Sequence, residues 1–209
     1  MGVKIDLRYW SKKYEDDYPR ETVGNYPIFV DEKGVKHEEK SPYFETMSRV
    51  LQQRGYLLKL EFVSIGKWKT RRQTPRYEKN EAEGVKNATM KAMKASQNKK
   101  LQILRKLNGV EVPVASAILT VIYPEKYCVI DYRTWRALHW LRILATKGQF
   151  TLDSYREYAD FLDTCKRYGK IASYHGFLNT LRAIGAERDM TPRQVEMALW
   201  KFDQKKGEK

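Results

Sequence analysis

The sequence predicts an all-α fold, and three observations carry that expectation. Apolar residues recur at spacings of three and four over most of the chain. Helix punctuation brackets the periodic stretches, with capping residues in front and glycine or proline behind. Alternating strand patterns are scarce: Tyr26 to Val30, ahead of the turn-forming Asp31 to Gly34, is the one convincing extended element.

Taken in order, Ser41-Pro42 opens a helix, because proline's missing N–H costs nothing at the first helical position. Tyr43, Met47, Val50 and Leu51 form its stripe and Gly55 ends it. Gly66 to Asn80, rich in Arg and Lys around Pro75, reads as a loop. Asn80 and Glu83 have capping-box spacing and start a helix through Val85, Ala88 and Met93. A short helix follows over about Lys99 to Lys106. Val114, Ala117, Ile118, Val121 and Ile122 are the next stripe, closed by Pro124; Tyr132 to Leu144 continues with Trp135, Leu138, Leu141 and Ile143. Thr151 caps a helix through Leu152, Tyr155, Tyr158, Ala159 and Leu162 that Gly169 stops. Residues 172–184 carry Phe177, Leu178 and Leu181, and Thr191-Pro192-x-Gln194 is a capping box for the last helix, through Val195, Ala198 and Leu199. The Lys-rich tail after Gln204 is expected to fray. With no repeat, no low-complexity tract and no linker, residues 1–209 read as one all-α domain.

With 42% apolar and 32% charged residues, 209 residues bury roughly 70% of the unfolded surface, enough for one core or two small lobes. No apolar run approaches the ~18 residues of a membrane span, and Met1 to Asp6 lacks a signal-peptide core, so a cytoplasmic protein is expected, nucleoid-associated if bacterial. Cys128 and Cys165 lie far apart, which excludes a disulfide scaffold and four-cysteine metal sites; both read as buried thiols. His37, His139 and His175 form no ligand-like pair, so no metal is expected. No Walker loop, dinucleotide fingerprint, nucleophile elbow or zinc-deaminase pattern is present, and no cofactor is expected.

Charge is the strongest compositional signal. The chain carries 40 Lys plus Arg against 26 Asp plus Glu, a net +14. Between Lys67 and Lys106 there are 13 basic and three acidic residues, so this stretch alone holds ten of those charges. Such a field favours a polyanion, with nucleic acid ahead of an acidic membrane, because no basic amphipathic helix carries an aromatic opposite face. Within the stretch, Lys67, Trp68, Lys69, Arg71 and Arg72 interleave an aromatic with cations, as a strand-gripping loop would; a Trp anchoring a loop to the core is the alternative. Lys91, Lys94, Lys99 and Lys100 read as a solvated face.

The most informative segment runs from Leu104 to Leu119. A helix ends near Leu107, Asn108-Gly109 reverses the chain, and Pro113 begins a new helix. By spacing this is a helix-hairpin-helix, in which Lys106, Asn108, Gly109, Val110 and the free N–H groups of the second helix can hold a phosphate. An ordinary helix connection is the competing reading.

Leu107-x-Gly109-Val110, Ala115, and Val129-Ile130-Asp131 followed by Arg133 and Arg136 resemble the helix-hairpin-helix DNA glycosylase superfamily, the endonuclease III-like base-excision enzymes. The resemblance covers about Lys99 to Leu144; Asp131 lies 22 positions after Gly109, and that fits the family's spacing to its catalytic aspartate. It implies a glycosylase-like all-α fold in two helical lobes, with residues 1–60 helping to build the second lobe. It also implies DNA, duplex or single-stranded, as partner, and a carboxylate at Asp131 that stabilises positive charge as a base departs. Tyr132, Trp135 and Trp68 are candidates to stack an extruded base, and Arg133 or Arg136 to steady Asp131 or grip a phosphate.

Two departures shape the expected chemistry. Glu111 stands where the family has a second hairpin glycine, and would repel phosphate unless it points away or sits beside a cation. Pro113 stands where bifunctional members carry a Schiff-base lysine, so a monofunctional hydrolase is the expected form. Asp131 before Tyr132-Arg133-Thr134 is equally a helix N-cap, so a noncatalytic nucleic-acid-binding protein and a basic module for an acidic protein partner are the rivals. Trp140, Phe177 and Trp200 fit apolar faces better than cofactor stacking.

Overall fold

The computed structural model describes residues 5–21, 26–140 and 172–207, and it is mostly helical. The helix expected from Thr151 and the residue Cys165 lie outside the described residues, as do the side chains of His139 and Trp140. The chain divides into two compact units, Tyr18–Cys128 and the paired segments Met1–Asp17 and Val129–Lys209. No Gly- or Ser-rich linker marks the division; the second crossing falls in Tyr127 to Ile130, a buried segment.

In the Tyr18–Cys128 unit, β1 (Ile28–Val30) pairs antiparallel with β2 (Lys36–Glu38), with Phe29 opposite His37. The second strand is wholly exposed and has no apolar alternation, so nothing in its sequence announces it. Helix α2 (Glu45–Arg54) begins three residues later than Pro42 suggests. Ser41 to Tyr43 form a turn instead, because the buried Glu39 carboxylate accepts the N–H groups of Ser41 (3.2 Å) and Met47 (2.9 Å) and fixes the entry. Phe44 takes up the bend at φ 57°, its ring fully buried.

The segment expected to be a loop is helical. Helix α3 (Lys59–Thr70) runs through Gly66 into a 3-10 turn at Arg71–Gln73 and then α4 (Thr74–Glu78), where Pro75 sits in the first turn and breaks nothing. Helix α5 (Ala82–Lys94) and α6 (Gln97–Leu104) follow, and α7 (Val112–Ile122) is the central helix. Its apolar residues are buried almost all round, as a helix without a polar face must be, and α2, α3 and α6 pack on it. Lys100 is a correction to the solvated face: it is buried, with Nζ donating to the Ala92 (2.9 Å) and Met93 (2.7 Å) carbonyls at the end of α5. Burial pushes its ammonium below the usual lysine value, and the carbonyl contacts suit a helix C-terminus.

The other unit holds the Leu7–Asp17 part of α1 (Leu7–Glu21) with α8 (Tyr132–Trp140), α9 (Ala172–Ala186) and α10 (Pro192–Gly207), and Trp10 and Tyr14 of α1 meet Phe202 and Trp200 of α10. The capping box of α10 forms as its sequence demands: Thr191 N–H donates to the Gln194 side chain at 2.8 Å, and Gln194 N–H donates to Thr191 Oγ1 at 3.2 Å. The helix continues through the Lys-rich residues to Gly207 instead of ending after Gln204, with Lys205 and Lys206 in a last turn whose dipole favours them. Phe177 is buried, as an apolar-face residue should be, and Trp200 meets Tyr14 edge to face.

Candidate nucleic-acid interface and carboxylate

The hairpin sits in the Tyr18–Cys128 unit. Helix α6 ends at Leu104, Leu107 N–H donates to the Leu104 carbonyl, and Val110 N–H closes a tight turn on the Leu107 carbonyl at 3.1 Å. Gly109 is the third residue of that turn at φ 80°, a conformation that side chains resist. Glu111 precedes α7 but makes no hydrogen bond to the helix start; its carboxylate lies 3.5 Å from Arg105 Nη2. The acid that could repel a phosphate therefore sits beside a cation, and Glu111 supplies no side-chain cap to the first-turn N–H groups of α7.

A second element holds the turn from behind. Asn80, expected to cap α5, leaves that position to Glu81 and turns its amide on the hairpin. Its Oδ1 accepts Asn108 N–H at 2.7 Å and its Nδ2 donates to the Asn108 carbonyl at 3.0 Å and to the Tyr77 carbonyl at 2.9 Å. Tyr77, fully buried, lies between two glycines. A Cβ on Gly66 would stand 2.6 Å from its ring, and one on Gly109 would stand 3.0 Å from the ring and 2.9 Å from Arg76 Cβ. Replacing Gly109 with alanine is expected to cost about 1–2 kcal/mol for the left-handed backbone and about 1–3 kcal/mol more for overpacking against Tyr77 and Arg76. Thermal melting measures it; an unchanged midpoint would mean that the turn is not held against α4.

The remaining basic candidates scatter by role. Lys67, Trp68 and Lys69 are partly exposed on α3, and Trp68 packs edge-on against buried Phe44 at 5.1 Å, the core-anchor alternative rather than a loop aromatic. Arg71, Arg72, Lys106 and Asn108 are exposed, and Val110 is buried.

Asp131 belongs to the other unit. It stands immediately before α8, half-buried, and its Oδ1 accepts both Thr134 N–H (3.0 Å) and Thr134 Oγ1–H (3.1 Å). This is a complete N-cap. Arg136 makes a two-pronged pair with Asp203 of α10, Nε and Nη2 each 2.7 Å from a carboxylate oxygen, and Arg133 reaches the same carboxylate at 3.6 Å. Asp203 is fully buried, and Arg136 also covers the Tyr132 ring at 4.8 Å. Both arginines are thus drawn into the packing of α8 on α10. Trp135 is 4% exposed and stacks on partly exposed Tyr132, so of the two aromatics only Tyr132 has surface to offer a base.

Around Asp131 lies chemistry that hydropathy does not signal. Arg193, Glu196, Lys201 and Asp203, all on α10, are at most 2% exposed; Arg193 pairs with Glu196, and Lys201 with Asp17 at 2.8 Å. Tyr14 is buried against Arg193, and its phenol is pushed up to about 12, chiefly by burial, with Arg193 opposing and the Glu196 and Asp131 charges reinforcing. Since the folded value is raised above the unfolded one, the contribution is complete below pH 10 and lost as pH rises toward 12. Stability is expected to fall across that interval, by at most about 2–3 kcal/mol, and Tyr14→Phe should flatten the fall. Denaturant midpoints at pH 9 to 11 test it.

A scan against protein-family models and searches of the curated proteins and of the solved structures each return no match.

Proposed function

We propose that this chain binds DNA through its sugar-phosphate backbone and hydrolyses an N-glycosidic bond, as a monofunctional base-excision enzyme of DNA repair with Asp131 as its carboxylate. The observation that carries the reading is the hairpin. Gly109 turns the backbone tightly at φ 80° and delivers it to an uncapped start of α7, with the nearby Glu111 charge offset by Arg105. Asn108 and Val110 spend their N–H groups inside the turn and Pro113 has none, so the backbone donors offered to a phosphate oxygen are those of Gly109 and the start of α7, and they read no sequence. In the reaction, Asp131 stabilises positive charge on the sugar as the C1′–N bond breaks; water adds at C1′ and the base leaves with a proton.

The test is a panel of duplex and single-stranded oligonucleotides with modified bases, assayed for free base and abasic product. Release of any base supports the reading. Tight binding with no release across the panel favours the second one, a noncatalytic nucleic-acid-binding protein. That reading draws on Asp131 itself, whose bonds to Thr134 already give the residue a structural purpose. No nucleic-acid binding at low salt would leave the basic surface to an acidic protein partner.

A further inference from the structure

We infer that the hairpin and α4 form one composite surface for the backbone of duplex DNA, in which Arg76 and Lys79 supply phosphate contacts and Asn80 is the positioning residue that locks the two elements in register. The inference rests on the DNA-binding reading above and deepens it, because neither Arg76 nor Lys79 belongs to the hairpin and neither is marked by a motif.

Three observations converge. The first is geometric: Asn80 grips both the N–H and the carbonyl of Asn108, and with the same amide the Tyr77 carbonyl of α4. The glycine at 109 brings the turn so close that a single methyl would meet Arg76 Cβ at 2.9 Å. The α4 backbone that carries Arg76 is therefore fixed against the turn itself, and Lys79 is the residue next to the latch.

The second is charge. Arg71, Arg72, Arg76, Lys79 and Lys106 are all exposed, and none of them is in an ion pair among the described residues. The nearby acids are differently placed. Glu78, between Arg76 and Lys79 in sequence, lies 3.7 Å from Lys67, and Glu111 lies 3.5 Å from Arg105. Glu81 and Glu83, exposed at the start of α5, have no cation beside them among the described residues, and Glu83 accepts the Asn87 amide at 3.1 Å. Five unpaired cations therefore face four nearby carboxylates, two of which are paired with other cations, and the net field is positive.

The third selects the partner. A single-strand groove interleaves cations with exposed aromatics on which bases stack. Here Tyr77 is fully buried and the partly exposed Trp68 packs edge-on against Phe44, so the fully exposed groups near the turn are cations, an amide and a few carboxylates, with no fully exposed aromatic ring among them. Such a surface recognises phosphate spacing and not base faces, which is the chemistry of duplex backbone binding.

The experiment uses full-length protein and an unmodified 20-base-pair duplex, with the single strand of equal length in parallel, followed by anisotropy over a salt series. The double variant Arg76→Gln/Lys79→Gln is expected to bind duplex about 10-fold or more weakly and to reduce the slope of log K against log salt by about 2, one per lost phosphate contact. Its melting temperature should match wild type, since both side chains are exposed. Asn80→Ala is expected to weaken duplex binding as well, and in its background the charge substitutions should cost several-fold less, because the cations no longer stand in register with the turn. Should Asn80→Ala fail to fold, the charge variants carry the test alone. If wild type binds duplex while Arg76→Gln/Lys79→Gln keeps its affinity and slope, the composite surface is wrong and the DNA-binding reading stands. If the variants lose single-strand but not duplex affinity, the partner is wrong. If wild type binds no duplex at low salt, the DNA-binding reading falls first.

Discussion

Asparagine in place of Asp131 is expected to lower base release by on the order of 10²–10⁴-fold while leaving the protein as stable as wild type. The two halves of that result come from different properties of one side chain. Oδ1 accepts Thr134 N–H and Thr134 Oγ1–H, and an asparagine carbonyl can accept both. Asparagine ranks with aspartate as an N-cap, so the start of α8 survives. What it lacks is the negative charge that would stabilise a sugar cation. Alanine removes both properties and is expected to cost about 1 kcal/mol of stability in addition. Comparing the two variants therefore separates capping from catalysis. Lost activity in both with a lower melting temperature only in Asp131→Ala assigns the chemistry to the carboxylate. Equal base release from wild type and Asp131→Asn would remove Asp131 from the mechanism.

That ambiguity is legible in the sequence because both roles are local. An aspartate ahead of Tyr132-Arg133-Thr134 is a cap by spacing, and its distance of 22 residues from Gly109 is a chain property that needs no coordinates. The hairpin is legible for the same reason: Asn-Gly followed by Pro113 encodes turn and helix start within six residues. The α10 capping box is another case, since Thr191 and Gln194 satisfy each other and ask nothing of the rest of the fold.

Where the sequence misleads, a distant partner has taken over a local signal. Asn80 and Glu83 have the spacing of a cap, but the Asn80 amide gains more by binding the Asn108 peptide, 28 positions away. Gly66 and Pro75 read as loop punctuation. In the structure Gly66 is a gap in α3 into which the Tyr77 ring fits, and Pro75 sits where a helix tolerates it. The five-residue α4, too short to show periodicity, is the element that this packing locks against the hairpin. Trp68 with its flanking lysines reads equally as a grip on a strand or as an anchor to the core, and it is the contact with buried Phe44 that favours the anchor for this partly exposed ring. Pattern reasoning assigns a residue by its neighbours in sequence; each of these is decided by a neighbour in space.

The buried charges of α10 are the extreme instance, and Asp203 provides the sharpest test. Replacing Asp203 with alanine is expected to destabilise the protein by about 3–5 kcal/mol, the largest single loss predicted for this unit. The carboxylate is fully buried, is bound by both Nε and Nη2 of Arg136, and lies within 3.6 Å of Arg133. Removing it takes the counter-charge from the partly buried Arg136 guanidinium at the junction of α8 and α10, and from the more exposed Arg133. Much of the cost is that uncompensated charge rather than the worth of the pair. The double variant Arg136→Met/Asp203→Leu, which removes both partners and refills the volume, is therefore expected to recover most of the lost stability, short of the contact Arg136 makes over Tyr132. Chemical denaturation of the three proteins measures it. A double variant no more stable than Asp203→Ala would show that the two side chains act independently. The same series bears on function: if Arg136 serves to fasten α8 to α10, Arg136→Met/Asp203→Leu should bind DNA with nearly wild-type salt dependence, whereas a slope reduced by about 1 would return Arg136 to the phosphate contacts that its place in the sequence suggested.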